Sequence, residues 1–170
     1  MFIRRSFLGL AGLSLLSACF RRGEELIRLP RYDGPPITQI QIYKQRRMMY
    51  LFSDQAVVGK YKVALGGNPI GPKRYEGDGR TPEGLYYIDY LNTRSSYHLS
   101  LRISYPNPQD VANAEAIGKK PGGDIFIHGE ADGKKGRNRD WTAGCIAVTD
   151  EEIEEIFSKV PLGTPVFIYP

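Results

Sequence analysis

The sequence predicts a mainly β domain, a set of short and mostly antiparallel strands with one or two helices at the margin. Two observations predict it. Apolar residues recur at every second position over short runs bounded by turn residues, and only two stretches carry helical spacing. The folded body, residues 37–170, is long enough to bury one core, and no internal repeat or low-complexity tract interrupts it.

Ile37-Thr38-Gln39-Ile40-Gln41-Ile42-Tyr43 nearly alternates apolar and polar residues, the pattern of a half-buried strand. Strands follow over 48–52 and 57–65, parted by a turn at Ser53-Asp54-Gln55. Thr81-Pro82-Glu83-Gly84 reads as a type II turn, because proline fixes φ and glycine permits positive φ. Further strands are expected over 85–91, 98–105, 124–128, 146–148 and 165–169. A first helix is expected over 108–119, with Asp110 near its start and Pro121-Gly122-Gly123 beyond its end. The second is better bounded. Thr149 is an N-cap with Glu152 at capping-box spacing, Ile153, Ile156, Phe157 and Val160 share a face, and Lys159 sits near the end. Its acidic run, 150–155, is then a solvated first turn rather than a metal site.

Residues 1–18 read as a signal peptide. Arg4 and Arg5 precede a short apolar stretch, 7–16, well below the ~20 residues of a spanning helix. Arg4-Arg5-Ser6-Phe7-Leu8 looks like a twin-arginine signal. Leu16-Ser17-Ala18-Cys19 resembles the lipobox of bacterial lipoproteins, which implies cleavage before Cys19 and acylation of its thiol. The competing reading is a signal-peptide cysteine lost with the rest. Residues 19–36, charged and then proline-rich, read as a lipid-anchored tether. The expected location is therefore the periplasm or cell envelope, on a membrane through Cys19.

The formal net charge is +4, and loss of Arg4 and Arg5 lowers it by two, to +2. That balance alone argues neither for nor against nucleic acid. The basic residues form no long run, however, and most of the eleven tyrosines fall in strand-like stretches, so no nucleic-acid partner is expected. Two histidines and two cysteines make a poor ligand set, and no metal or other cofactor is expected. If Cys19 is acylated or removed, Cys145 is the one thiol left. No disulfide can then form within the chain, and an unpaired exported cysteine calls for an explanation.

The chemistry-bearing residues are Ile125-Phe126-Ile127-His128-Gly129 and Thr142-Ala143-Gly144-Cys145-Ile146. They put a histidine at the end of one strand and a cysteine at the start of another. A thiol attacks as thiolate, and an imidazole is the commonest acceptor of its proton. Gly144 lets the backbone bend before the cysteine and present the amides of Gly144 and Cys145 to an oxyanion. The bland alternative is a core cysteine beside an unrelated histidine; with so few of either residue, the chemical reading is preferred. An activated Cys145 is expected to meet thiol reagents at mildly acidic pH, where an ordinary thiol near ~8.5 is sluggish. The joining loop, 129–141, is rich in glycine and charge. It reads both as solvated and as a wall over the site.

Together these residues resemble the catalytic domain of bacterial L,D-transpeptidases. The match covers His128-Gly129 with Thr142-Ala143-Gly144-Cys145, then Gly71-Pro72-Lys73 with Gly77-Asp78-Gly79-Arg80-Thr81-Pro82-Glu83-Gly84, and the stretch from His98 through Tyr105-Pro106-Asn107 to Asp110. The resemblance spans 37–170 and implies an L,D-transpeptidase-like β-sandwich of short mixed strands. It also implies acyl transfer on peptidoglycan stem peptides. Cys145 attacks the carbonyl at the L-centre of a third-position diaminopimelate and releases D-alanine, His128 acts as general base and then acid, and the thioester passes to an amine or to water. Thr142 and Gly129 support the turns. No acidic third partner has the spacing, so a backbone carbonyl is the candidate to orient His128. Lys73, Arg80 and Glu83 receive no catalytic role.

Two positions depart from the commoner family pattern. Ala143 stands where many members have histidine or another polar residue, and Ala147 where many have arginine or asparagine. An alanine cannot pair a substrate carboxylate bidentately; Lys134, Lys135, Arg137 and Arg139 in the loop are candidates to replace that cation. The chain looks like the Gly-Cys-Ile-Ala subgroup, which includes hydrolytic members. Three functions stay open: a transpeptidase, a peptidoglycan hydrolase (endopeptidase, carboxypeptidase or amidase), and a non-catalytic murein-binding lipoprotein.

Overall fold

The structure, a computed structural model, describes residues 29–130 and 139–170. The readings of the signal peptide, of Cys19 and of Lys134, Lys135 and Arg137 fall outside the described residues, as does much of the tether.

The strands are β1 (Gln39–Tyr43), β2 (Met48–Ser53), β3 (Ala56–Lys62), β4 (Gly84–Ser95), β5 (His98–Ile103), β6 (Phe126–His128), β7 (Ile146–Ala147) and β8 (Pro165–Tyr169). The helices are α1 (Pro108–Glu115), between β5 and β6, and α2 (Asp150–Lys159), between β7 and β8. All eight strands join one mixed sheet in the order β3-β2-β1-β8-β4-β5-β6-β7. Most neighbours are antiparallel, but β8 runs parallel to β1 and β7 parallel to β6. The alternation read from the sequence sets which face is buried. Ile40 and Ile42 of β1 lie beside Val166 and Ile168 of β8, and all four are buried.

Strand β4 belongs to both halves of the sheet. Residues 84–87 pair with β8, whereas residues beyond 88 pair with β5 through two register shifts. Such bulges bend a strand and raise its twist, so the second half turns away from the first. The stretch read as one strand over 57–65 divides for a related reason. Its ladder to β2 stops at Lys62, and Ala64 exchanges two hydrogen bonds of 2.9 Å with Ala147 of β7. The two ends of the strand order therefore meet, and residues of both halves share one apolar core. Gly84 takes φ 131°, not within a turn but as the first residue of β4, opposite Ile168.

Both helices start where local chemistry places them. Thr149 caps α2, with Thr149 and Glu152 exchanging the reciprocal bonds of a capping box. Ile153 and Ile156 enter the core, and α2 packs on β5 and β6. Helix α1 carries a second capping box, Asn107 with Asp110, and ends at Glu115 rather than at 119. Two buried ion pairs fix the segment before β4. Lys44 donates to Glu83 at 2.8 Å and to the carbonyls of Gly71 and Thr81, and Lys73 donates to Asp78 at 3.0 Å. Glu83 and Lys73 thus brace this segment through their ion pairs.

Candidate active site

The parallel pairing of β6 and β7 brings the two motifs together. Ile127 faces Ile146 and His128 faces Ala147 in register, which leaves Cys145 beside Phe126, two residues from His128 along the same strand face. The Phe126 N–H donates to Cys145 Sγ at 3.5 Å, and Sγ lies 3.5 Å from the Asp124 carbonyl. Cys145 and His128 line one cavity of about 300 Å³. The β4–β5 hairpin also lines it, with Arg94, Ser95 and Tyr97 at the tip and Ser100 on β5, paired with His128.

His128 is 3% exposed and held on three sides. Its Nδ1 lies 2.6 Å from the Gly129 carbonyl. A carbonyl oxygen only accepts, so Nδ1 carries the proton and Nε2 is the basic nitrogen of the neutral ring. The orienting carbonyl expected from the sequence is therefore that of the next residue. Tyr97 lies against the ring at 4.6 Å between centroids, and Trp141 meets it edge-on at 5.7 Å. Neither aromatic emerged from the sequence, although Trp141 directly precedes Thr142. Gly129 also has a packing reason. A Cβ there would fall 2.4 Å from Asp150 Oδ1, which accepts the Glu130 N–H.

The turn before the nucleophile is stitched by Thr142. Its hydroxyl donates to the Cys145 carbonyl at 2.7 Å and accepts the Gly144 N–H at 3.1 Å. Gly144, at φ 138°, passes so close to the Arg80 carbonyl that a Cβ would lie 2.6 Å from it. This revises one expectation: the Gly144 amide is already engaged within the turn. Among the described residues none accepts the Cys145 N–H. Of the loop cations, only Arg139 is described, and it is exposed. The other histidine, His98, bonds to Glu154 at 2.7 Å and ties β5 to α2. The described residues hold no cluster of metal-ligating side chains.

Compared with known families, residues 37–168 match the L,D-transpeptidase catalytic domain (YkuD). The chain belongs to that family. It is 31% identical over 143 residues to the candidate L,D-transpeptidase YafK of Escherichia coli (strain K12), covering 81% of this chain and 52% of YafK. Among solved structures it is similar to the helical cell shape determining protein Pgp2 of Campylobacter jejuni, with 26% identity and a TM-score of 0.62, over 86% of this chain and 51% of Pgp2. It also shares the fold of an L,D-transpeptidase from Xylanimonas cellulosilytica, with 17% identity and a TM-score of 0.53, over 82% of this chain and 64% of that one. The chain spans about half the length of YafK and Pgp2.

In this L,D-transpeptidase domain the surroundings of Cys145 favour the thiol over the thiolate. Burial pushes the Cys145 pKa up from the usual thiol range, and the nearby Asp124 carboxylate adds to this, against the Phe126 N–H and the more distant Lys73. The protonated form is therefore favoured at neutral pH, and fast alkylation at mildly acidic pH is no longer the expectation. Iodoacetamide labelling of the free protein should instead accelerate with pH through a midpoint above ~8.5, the ordinary thiol value. A labelling rate already at its plateau near pH 6 would contradict this.

Proposed function

We propose that this protein is a peptidoglycan-modifying cysteine acyltransferase of the L,D-transpeptidase type. The observation that carries the reading is the 2.6 Å contact of His128 Nδ1 with the Gly129 carbonyl, which leaves Nε2 as the basic nitrogen of a ring lining the same cavity as Cys145. Nε2 takes the thiol proton as Sγ bonds to the carbonyl carbon of the third stem residue. Because burial raises the thiol pKa, a base must take this proton for the attack to proceed. The Cys145 N–H, at the head of a turn that Thr142 and Gly144 hold rigid, receives the developing oxyanion, a contribution of ~3 kcal/mol for a well-placed donor. The C–N bond then breaks and the imidazolium returns its proton to the leaving D-alanine amine. An amine or a water molecule attacks the thioester in the reverse sense and frees the thiol.

Ala147 favours a second outcome, hydrolysis. It is fully buried between His128 of β6 and Ala64, so this position offers the substrate no cation. A time course on tetrapeptide monomers, run beside one on cross-linked sacculi with mass analysis of the muropeptides, tests both readings. Formation of 3→3 dimers from monomers is the expected result of transfer, and shortened peptides or opened cross-links that of hydrolysis. No change in either substrate would overturn the enzymatic reading and leave a murein-binding role.

We further propose that the domain works at the cell envelope, on a membrane through an acylated Cys19 and the tether of residues 19–36. The sequence Leu16-Ser17-Ala18-Cys19 supports this reading, and no helix among the described residues is long and apolar enough to cross a membrane. Cys19→Ser should move the protein out of the membrane fraction; a variant that stays there would refute the anchor.

A further inference from the structure

The cavity around Cys145 and His128 carries opposite charges on walls built by different elements. Arg94 lines it from the tip of the β4–β5 hairpin, and Asp124 from the segment that leads into β6. Both residues are exposed. Arg94 is anchored through its backbone, whose N–H donates to Asn92 Oδ1 at 2.9 Å, but no carboxylate among the described residues pairs with its guanidinium. Arg31, Arg47 and Arg102, by contrast, pair with Asp33, Asp140 and Asp89. Asp124 holds a left-handed backbone, φ 54°, and its carbonyl lies 3.5 Å from Cys145 Sγ. Its side chain lines the same cavity as Cys145, and Arg102 is committed to Asp89.

We propose that Arg94 and Asp124 form a receptor for a zwitterionic amino-acid end, an ammonium and a carboxylate on one carbon, presented beside the scissile bond. This rests on the stem-peptide reading above, in which the third residue is diaminopimelate. Its L-centre carries the scissile carbonyl and its far end carries that zwitterion. Asp124, next to the nucleophile, takes the ammonium. Arg94, at the hairpin tip, takes the carboxylate with the planar fork suited to it. Ser95 and Ser96 supply neutral hydroxyls along the same wall. The receptor occupies the role that Ala147 leaves vacant, but reads the side chain rather than the end of the peptide.

The test uses the full chain and three tripeptides ending at diaminopimelate: one with a free side-chain end, one with its side-chain carboxyl amidated, and one with its side-chain amine acetylated. Binding is measured by calorimetry, so no turnover is required. The wild-type protein should bind the free peptide at least about tenfold more tightly than either modified one, the effect of one charge-assisted hydrogen bond at the low end of its range. Arg94→Gln should erase the discrimination against the amidated peptide and keep that against the acetylated one; Asp124→Asn should do the reverse. A merely structural role would weaken all three together. The receptor is overturned if the wild type binds the three alike or binds none, or if Arg94→Gln still discriminates against the amide. Turnover on sacculi is read separately. Activity there without discrimination would sink the receptor alone, and discrimination without activity would sink the catalytic reading and keep the binding site.

Discussion

Cys145→Ala should lower turnover by roughly 10⁴-fold or more, to the level of the background, because a methyl group cannot form the thioester through which either outcome must pass. The loss should be confined to chemistry. Among the described residues Sγ makes two long hydrogen-bond contacts, 3.5 Å to the Phe126 N–H and 3.5 Å to the Asp124 carbonyl, while the turn is held by Thr142 and by the unusual backbone of Gly144, which the substitution leaves alone. A melting temperature within a few degrees of wild type is expected, since about 1 kcal/mol shifts a domain of this size by only several degrees. Muropeptide release from sacculi, measured beside thermal unfolding, checks both halves. Undiminished activity in a folded Cys145→Ala protein would remove the proposed mechanism entirely.

His128→Gln should cost about 10²–10⁴-fold in kcat/KM at neutral pH, the usual contribution of a positioned general base. Glutamine keeps a polar side chain between Tyr97 and Trp141 but offers no basic nitrogen. The pH profile distinguishes lost proton transfer from a disturbed pocket. The Cys145 pKa is raised by burial, so the thiolate fraction of the variant grows only as pH climbs above the ordinary thiol range. The activity of His128→Gln should therefore rise with pH and recover part of its loss in alkaline solution. A deficit that stays constant with pH would mean that His128 acts by shape alone.

Much of the architecture was legible because it is local. The alternation in 37–43, the apolar run in 165–169 and the Thr149–Glu152 capping box are patterns a short window reveals, and each appears where expected. Strand order was not legible. Nothing in Pro165–Tyr169 says that it lies between β1 and β4, because the side-chain period fixes a face and not a neighbour. The polar run 92–95 hid the extension of β4, since it carries the strand beyond the core into the cavity wall. The Gly129 carbonyl could be anticipated as a type of partner for His128, because a neutral imidazole needs an acceptor for its N–H. The two aromatic rings that pack on His128 arrive from separate loops, and only the folded chain brings them there. The engagement of the Gly144 amide by Thr142 likewise depends on a side-chain rotamer that no spacing encodes.

The place of β8 bears on when, during synthesis, the fold can be completed. Of all the elements described it is made last, yet it lies in the middle of the sheet, parallel to β1 and antiparallel to β4. A nascent chain that has not yet released Pro165–Tyr169 from the ribosome lacks the strand that joins β1 to β4, and with it Val166 and Ile168 of the core. Long-range pairing of this kind is slow to form and cannot proceed co-translationally, strand by strand. The seam between the two halves of the sheet therefore closes last, and their common core is complete only when Val166 and Ile168 take their places in it.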